Sequence, residues 1–250
     1  MKWAGHVPLL TLAMAGVLLL RNDVAAQSDQ ANLLPYQARY QVLRNGSTLG
    51  QAVVTLAREG NGKTWRLRSE TRGTQGLAAL ARVEIVEDSH FRLRDGRPET
   101  LDYSFHQKAA WKNRERTVKV DAAAGTILST DKERSHSFAY APRVIDRHLV
   151  TVALALDLAR GEVPRAKHDL VYRVVDRDEL EDQRYMAGRK ETLSSPLGGL
   201  RTLRLTRVRE NPGRVTDSWL AIDRGFVPVK VVQREPDGET FELRLLALKR

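Results

Sequence analysis

From residue 36 onward the chain is punctuated by short turn signals, and between them apolar and polar residues alternate. Asn45-Gly46 separates Tyr36 to Leu43 from Gln51 to Leu56, and Asn61-Gly62 separates that run from Thr64 to Thr71. Such dipeptides between period-two runs are hairpin signals, because both residues accept the positive φ that a tight two-residue turn requires. In "TWRLRSET" Trp65, Leu67, Ser69 and Thr71 share one face while Arg66, Arg68 and Glu70 take the other. The pattern continues through Arg82 to Leu93, Glu99 to His106, Glu115 to Val120 and Thr126 to Thr130. After residue 168 it resumes in six further runs, His168 to Val175, Gln183 to Leu193, Leu200 to Arg209, Arg214 to Ile222, Phe226 to Glu235 and Glu239 to Leu248.

Two segments interrupt the alternation. "TQGLAALA", Thr74 to Ala81, reads as a short helix or loop excursion. Behind Pro142, "RVIDRHLVTVALALDLARG" is the strong helix candidate, predicted from Val144 to Arg160 and stopped by Gly161. Its apolar residues cover more than one face, so it is expected to pack on two sides. So many strands exceed what a flat open sheet holds, and the sheet should curl or close. The expected fold is mostly β, a large curved antiparallel meander forming an incomplete barrel around one main helix. Residues 27–250 are expected to form a single β-rich domain.

The first residues differ in kind. Lys2, an apolar run from Val7 to Leu20, and small residues ending in Val24-Ala25-Ala26 have the order of a secretory signal cleaved after Ala26. The run is short for a membrane span, which needs about 20 residues, although an uncleaved anchor is the alternative. The chain has no cysteine, hence no structural disulfide and no lipid-anchor thiol. A soluble periplasmic protein is the simplest expectation. Cleavage would remove Lys2, Arg21 and Asp23, changing the net charge from +10 to +9. That excess suits anionic lipid headgroups or acidic envelope polymers, with membrane contact peripheral if any, or it serves as a solubilising surface. Nucleic acid is not an expected partner, because the basic residues are spread along strands rather than gathered in one helix or tail.

"AREGNGKT", Ala57 to Thr64, fits a relaxed phosphate-loop pattern. A true loop of that kind leaves a strand and enters a helix whose N-terminal amides hold the phosphates. Here Lys63-Thr64 enters a period-two strand, so Glu59 to Lys63 reads as a hairpin and no nucleotide is expected.

Taken together, "YQARYQV...NGSTLG", "RVIDRHLVTVALALDL", "ETLSSPLGGLRTLRLTR" and "DSWLAIDRGFVPVKVVQREPDGETFELRLLAL" resemble the domain-of-unknown-function 3108 family of exported bacterial envelope proteins. The last stretch, with Trp219, Asp223, Gly225 and Pro228, is also distantly similar to a strand-turn-strand element of periplasmic lipoprotein carriers. Those carriers are incomplete barrels around helices with a hydrophobic cavity. The family resemblance implies export and a β-rich fold, and brings no activity with it.

No Gly-x-Ser-x-Gly elbow occurs, and Ser135-His136-Ser137 alternates across a strand. His148 and Asp146, two apart on the expected helix, would not face each other. His90, His106, His136, His148 and His168 lack ligand spacing, so no metal or other cofactor is expected. The acidic residues Asp176, Asp178, Glu179, Glu181 and Asp182 lack the glycine and terminal glutamate of a calcium loop and read as a solvated turn. Aromatic residues are the softer clue. Tyr103, Phe105 and Trp111 lie close in sequence to Lys108, Lys112, Arg114 and Arg116, an aromatic wall with a basic rim suited to an amphiphile. Trp65 and Trp219 are expected to join them on the concave side. The same aromatics serve equally as core. The leading expectation is a non-enzymatic binding protein for a lipid or other envelope amphiphile. The alternatives are a scaffold with a filled interior, docking an acidic partner, and a hydrolase of envelope polymers.

Overall fold

The computed structural model describes residues 33–60, 62–110, 112–162, 169–209 and 213–250. The expected leader with its cleavage after Ala26, and Asn61, Trp111 and His168, lie outside them. The first meander comprises β1 (Tyr36–Arg44), β2 (Ser47–Glu59), β3 (Thr64–Gly73), β4 (Glu84–Arg94), β5 (Arg97–Ala109), β6 (Lys112–Asp121), β7 (Thr126–Asp131) and β8 (Arg134–Ala139). A five-residue helix, α1 (Gly76–Leu80), forms the excursion after β3. Then come β9 (Ile145–Asp146), α2 (Val150–Ala159), β10 (Leu170–Asp176), β11 (Glu179–Ser195), β12 (Gly198–Val208), β13 (Val215–Ala221), β14 (Val227–Arg234) and β15 (Thr240–Lys249).

All fifteen strands belong to one sheet, ordered β8-β7-β6-β5-β4-β3-β2-β1-β15-β14-β13-β12-β11-β10-β9. The first meander therefore runs outward from the centre and the second runs back inward to it, so that the first strand pairs with the last: Tyr40 lies opposite Leu245 and Val42 opposite Leu243. Turn chemistry supports the hairpins, since Asn45 and Gly46 both have positive φ (49° and 79°), as a mirror-image two-residue turn demands. β3 starts at Thr64 and pairs with β2 as far as Glu59, so Lys63-Thr64 leads into a strand and not into a phosphate-binding helix.

The helix is shorter than the sequence predicts. Val144 to Leu149 are not helical; Ile145 and Asp146 form β9, which lies parallel to Val174 and Val175 of β10. With α2 between them in sequence, β9 and β10 make a small β-α-β crossover, the one parallel pairing among the described residues. β8 is a further strand that the alternation did not signal, its segment "RSHSFA" offering a single large apolar residue.

α2 is buried through Val150, Val152, Ala153, Leu154, Leu156 and Leu158, while Thr151, Ala155 and Ala159 form a more open face along a groove with Leu33, Leu34, Tyr36 and Phe226. Leu56, Trp65, Leu67 and Phe91 of the first meander pack on it from one direction, and Val174, Leu203, Leu205 and Leu220 of the second from another. The sheet thus wraps its helix, which explains why the helix is apolar all round. No ladder joins β8 to β9, so the barrel stays open in its pairing. The two halves nevertheless meet: the Thr100 amide donates to the Val144 carbonyl at 3.0 Å. Val144 and Val175 also pack with Tyr103, Phe105, Val118 and Ile127. Among the described residues, no helix is long and apolar enough to cross a membrane.

Candidate functional site

Cross-strand register shows how the interior changes along the strands of the second meander. Leu203 and Leu220 pair across β12 and β13 and pack against α2. One row further on stand Leu205, Ser218 and Val231. The next row, about 7 Å on by strand geometry, is Tyr185, Arg207, Thr216 and Gln233. Side chains two apart on a strand share a face, so leucine gives way to arginine on one continuous inner surface.

That row borders a cavity of about 890 Å³ to which Arg147, Asp176, Arg177, Glu181, Gln183, Arg209 and Arg214 also contribute. Arg207 donates from Nη2 to Glu181 at 2.7 Å, while its Nε is buried without a partner. Arg209 donates to the Arg214 carbonyl (3.3 Å) and the Thr216 hydroxyl (3.2 Å). Burial, reinforced by neighbouring Arg207, brings the Arg209 pKa down to about 10. Tyr185 donates to Gln183 Oε1 at 3.0 Å, and burial pushes its phenol up to about 12, so it remains a donor. A second cavity of about 550 Å³ shares Arg177 and is lined by Arg114, Asp131, Arg134 and His136.

Across the seam, Arg147 donates to Glu87 at 3.0 Å, and Tyr103 donates to the same carboxylate at 2.8 Å. Burial works to raise the Glu87 pKa, but Arg147, His148 and these hydrogen bonds outweigh it and leave it lowered. Phe105 lies between two guanidiniums, Arg116 at 5.1 Å and Arg147 at 5.6 Å from its ring centre. The side chain of Arg116 is only 7% exposed, and its Nε and Nη1 have no hydrogen-bond partner.

The structure brings together Tyr103, Phe105 and Arg116 but not the whole predicted constellation. Tyr103 and Phe105 are core residues at the seam. Trp65 is core elsewhere, stacked on Phe91 and packed around α2. Trp219 does not face the helix: it follows the opposite parity from Leu220, stands between Arg204 (5.3 Å) and Lys230 (5.2 Å), and donates from Nε1 to Glu191 at 2.6 Å. Its charged neighbours belong to the outer face, which corrects the expectation that it lies on the concave side. Arg114 pairs with Asp131 at 2.8 Å, while Lys108 and Lys112 are exposed. The acidic turn splits by parity, Asp176 facing Arg116 and Arg147, Glu181 holding Arg207, and Asp182 pairing with Arg173. Among the described residues, no three His, Asp or Glu side chains gather as a metal site.

One grouping contradicts the sequence reading directly. Asp146 and His148 precede the helix and converge on Ser89: the Ser89 hydroxyl donates to Asp146 Oδ1 at 2.9 Å and lies 3.0 Å from His148 Nδ1. With its proton committed to the carboxylate, Ser89 accepts from Nδ1–H, and Nε2 lies 2.6 Å from the Ser69 hydroxyl. Asp146 also receives the Thr100 hydroxyl and the amides of His148 and Leu149. It is fully buried, and that burial raises its pKa despite these donors. The network ties β3, β4 and β5 to the start of α2.

No curated protein matches the chain's sequence. Among solved structures, the chain is similar to a β-barrel-like protein of domain of unknown function DUF1849 from Brucella abortus (TM-score 0.54, 12% identity, covering 87% of this chain and 98% of that one). It is more distantly similar to a structure from Parabacteroides distasonis provisionally described as a lipoprotein (TM-score 0.39, 8% identity, 87% and 96% covered). A provisionally exported protein with a YmcC-like fold from Bacteroides fragilis follows (TM-score 0.32, 9% identity, 88% and 97% covered). At these identities the first likeness speaks for the fold alone. The sequence profile of the proteins of unknown function grouped as DUF3108 matches residues 35–245, from the start of β1 to within the last strand, and the chain belongs to that family.

Proposed function

We propose that the protein is a non-enzymatic binding protein of the bacterial periplasm, exported with loss of residues 1–26, that holds a lipid or other envelope amphiphile by its anionic head. One observation carries the reading: on a single inner surface, the leucine rows that pack α2 give way to the Tyr185-Arg207-Thr216-Gln233 row bordering a cavity of about 890 Å³. An amphiphile has that same division; the cavity's own wall is mostly charged and polar and suits the anionic head, while the leucines beyond it are packed on α2. Nucleotides and nucleic acids are not proposed as ligands. Native mass spectrometry of protein purified from its own envelope fraction tests the reading. An added mass that delipidation removes is the expected result. Identical masses before and after, with no uptake of a fluorescent fatty acid, would overturn it.

The contact between Ser69 and His148 favours a second reading, a hydrolase of envelope polymers, because a hydroxyl beside an oriented imidazole is how serine nucleophiles are activated. A serine-reactive fluorophosphonate decides between the two. Labelling that disappears in Ser69→Ala selects the hydrolase, and an unlabelled protein that still takes up amphiphile selects the binder.

A further inference from the structure

Building on the amphiphile reading, we propose that Arg207, Arg209 and Tyr185 form a recognition site for a phosphoryl group, whether on a lipid head or free. The first support is unused hydrogen-bonding capacity. Arg207, a residue of the cavity wall, spends Nη2 on Glu181, while its Nε is buried without a partner. A buried donor left unpaired is costly, so a ligand oxygen that meets it on a small turn of the side chain relieves an existing penalty.

The second support is charge. Glu181 serves Arg207, and Glu235 serves Arg214 at 2.8 Å, whereas Arg209 reaches only neutral oxygens, a carbonyl and a hydroxyl. Among the described residues, the positive charge of Arg209 is thus held by no carboxylate of its own, although Glu179 lines the same cavity. Half-burial beside Arg207 makes that charge unfavourable, as the lowered pKa of Arg209 reflects. A singly charged phosphodiester or a protonated phosphate would neutralise it.

The third support is geometry. Two guanidiniums, from Arg207 on β12 and Arg209 just past its end, are flanked by the Tyr185 phenol on β11 and by Thr216 and Gln233 on β13 and β14; the Tyr185 O–H, which donates to Gln183, must turn to reach a ligand. A tetrahedral oxyanion presents oxygens outside any single plane and can use donors that converge from several strands. A carboxylate has two coplanar oxygens, which one guanidinium fork already satisfies.

Calorimetric titration of the full chain with four probes tests the proposal: lysophosphatidylglycerol, oleate, monoolein and inorganic phosphate. Arg207→Gln and Arg209→Gln are the site variants, Arg209→Lys keeps charge without the fork, and Arg201→Gln removes an exposed charge paired with Asp223 on the surface. The expected result is that lysophosphatidylglycerol binds more tightly than oleate or monoolein, and that each site glutamine weakens it ~10- to 100-fold, the range of one charge-assisted hydrogen bond. Arg209→Lys should fall between, and Arg201→Gln should match wild type. Thermal melting of each variant checks that the fold persists. If inorganic phosphate binds in an Arg209-dependent way and no lysolipid does, the phosphoryl site stands and the amphiphile reading falls. If the three lipids bind equally and the arginine variants change nothing, the amphiphile reading stands and this inference is overturned. Equal arginine dependence for oleate and the phospholipid overturns the choice of phosphoryl over carboxylate. If no probe binds, both proposals fall.

Discussion

Arg116 Nη1 stands 3.6 Å from Asp176 Oδ1, a charged pair that bridges β6 of one meander and β10 of the other. Both atoms are buried, and neither makes a hydrogen bond. Removing one partner of such a pair strands the other charge, whereas replacing both with uncharged groups is often neutral. Asp176→Asn is therefore expected to lower stability by about 3 kcal/mol, and Arg116→Met combined with Asp176→Asn by clearly less. Denaturant midpoints of the two variants, compared with wild type, check this; a double variant weaker than Asp176→Asn alone would show that the pair is no liability.

Asp217 is fully buried on the outer face, where it receives Arg204 at 2.9 Å, Arg234 at 3.1 Å and the Thr206 hydroxyl at 2.7 Å. Asp217→Ala leaves two guanidiniums facing each other with no anion between them. A loss of about 3–5 kcal/mol is expected, read from chemical denaturation, with changed fluorescence from Trp219, whose ring Arg204 covers.

Leu154 lies in the middle of α2 and is 2% exposed, so Leu154→Ala should cost about 2–5 kcal/mol through lost burial and the cavity left behind. Leu34, 48% exposed, is the comparison: Leu34→Ala should stay within about 0.5 kcal/mol. Equal losses would mean that α2 is not the centre of the core.

His148 is expected to act through the helix entrance. In His148→Ala, Ser69 and Ser89 lose a shared partner, and amide exchange of residues 148–150 should accelerate by roughly tenfold, about what one net hydrogen bond contributes. Unchanged exchange there would detach the network from the stability of α2.

Acid should weaken the fold through Glu99, whose side chain is 1% exposed. Burial works to raise its pKa, yet the Arg143 amide, Arg92 and Tyr140 more than offset this and leave it lowered. A depressed folded pKa contributes stability that is complete above the unfolded value, about 4.3 for glutamate, and is lost as pH falls through the folded value. Asp146, raised by burial, has the opposite sign and blunts the effect. Unfolding midpoints measured from about pH 6 down to about pH 3 should fall, and Glu99→Gln should begin lower and fall less steeply.

Hairpins were legible in the sequence because turn dipeptides and alternation are local, and Asn45-Gly46 or "TWRLRSET" need no distant partner to be read. The start of α2 was misread because helix and short strand look alike in "RVIDRHLV"; what decides between them is the pairing of Ile145 with Val174, nearly thirty residues away. The aromatic residues drew attention to the seam, but their packing as core follows from contacts that alternation does not encode. The arginine row has a local signal of its own. In "TLRLTRVR" Leu203, Leu205, Arg207 and Arg209 share one parity, so a face that begins as leucine ends as arginine. "RERTVKV" repeats this with Arg114, Arg116, Val118 and Val120. A charged residue on the parity of the core marks the place where the interior stops being dry.

Because β1 closes against β15, the central strand of the sheet waits for the last residues to be made. Until those residues arrive, the first meander carries a bare inner border of unpaired amides and carbonyls, the kind of border on which chains join wrongly. Completion is thus a late, long-range event, slow by the logic of contact order. A chain shortened by its final strand would lose the middle of its sheet rather than a rim, and its two halves would no longer share a common wall.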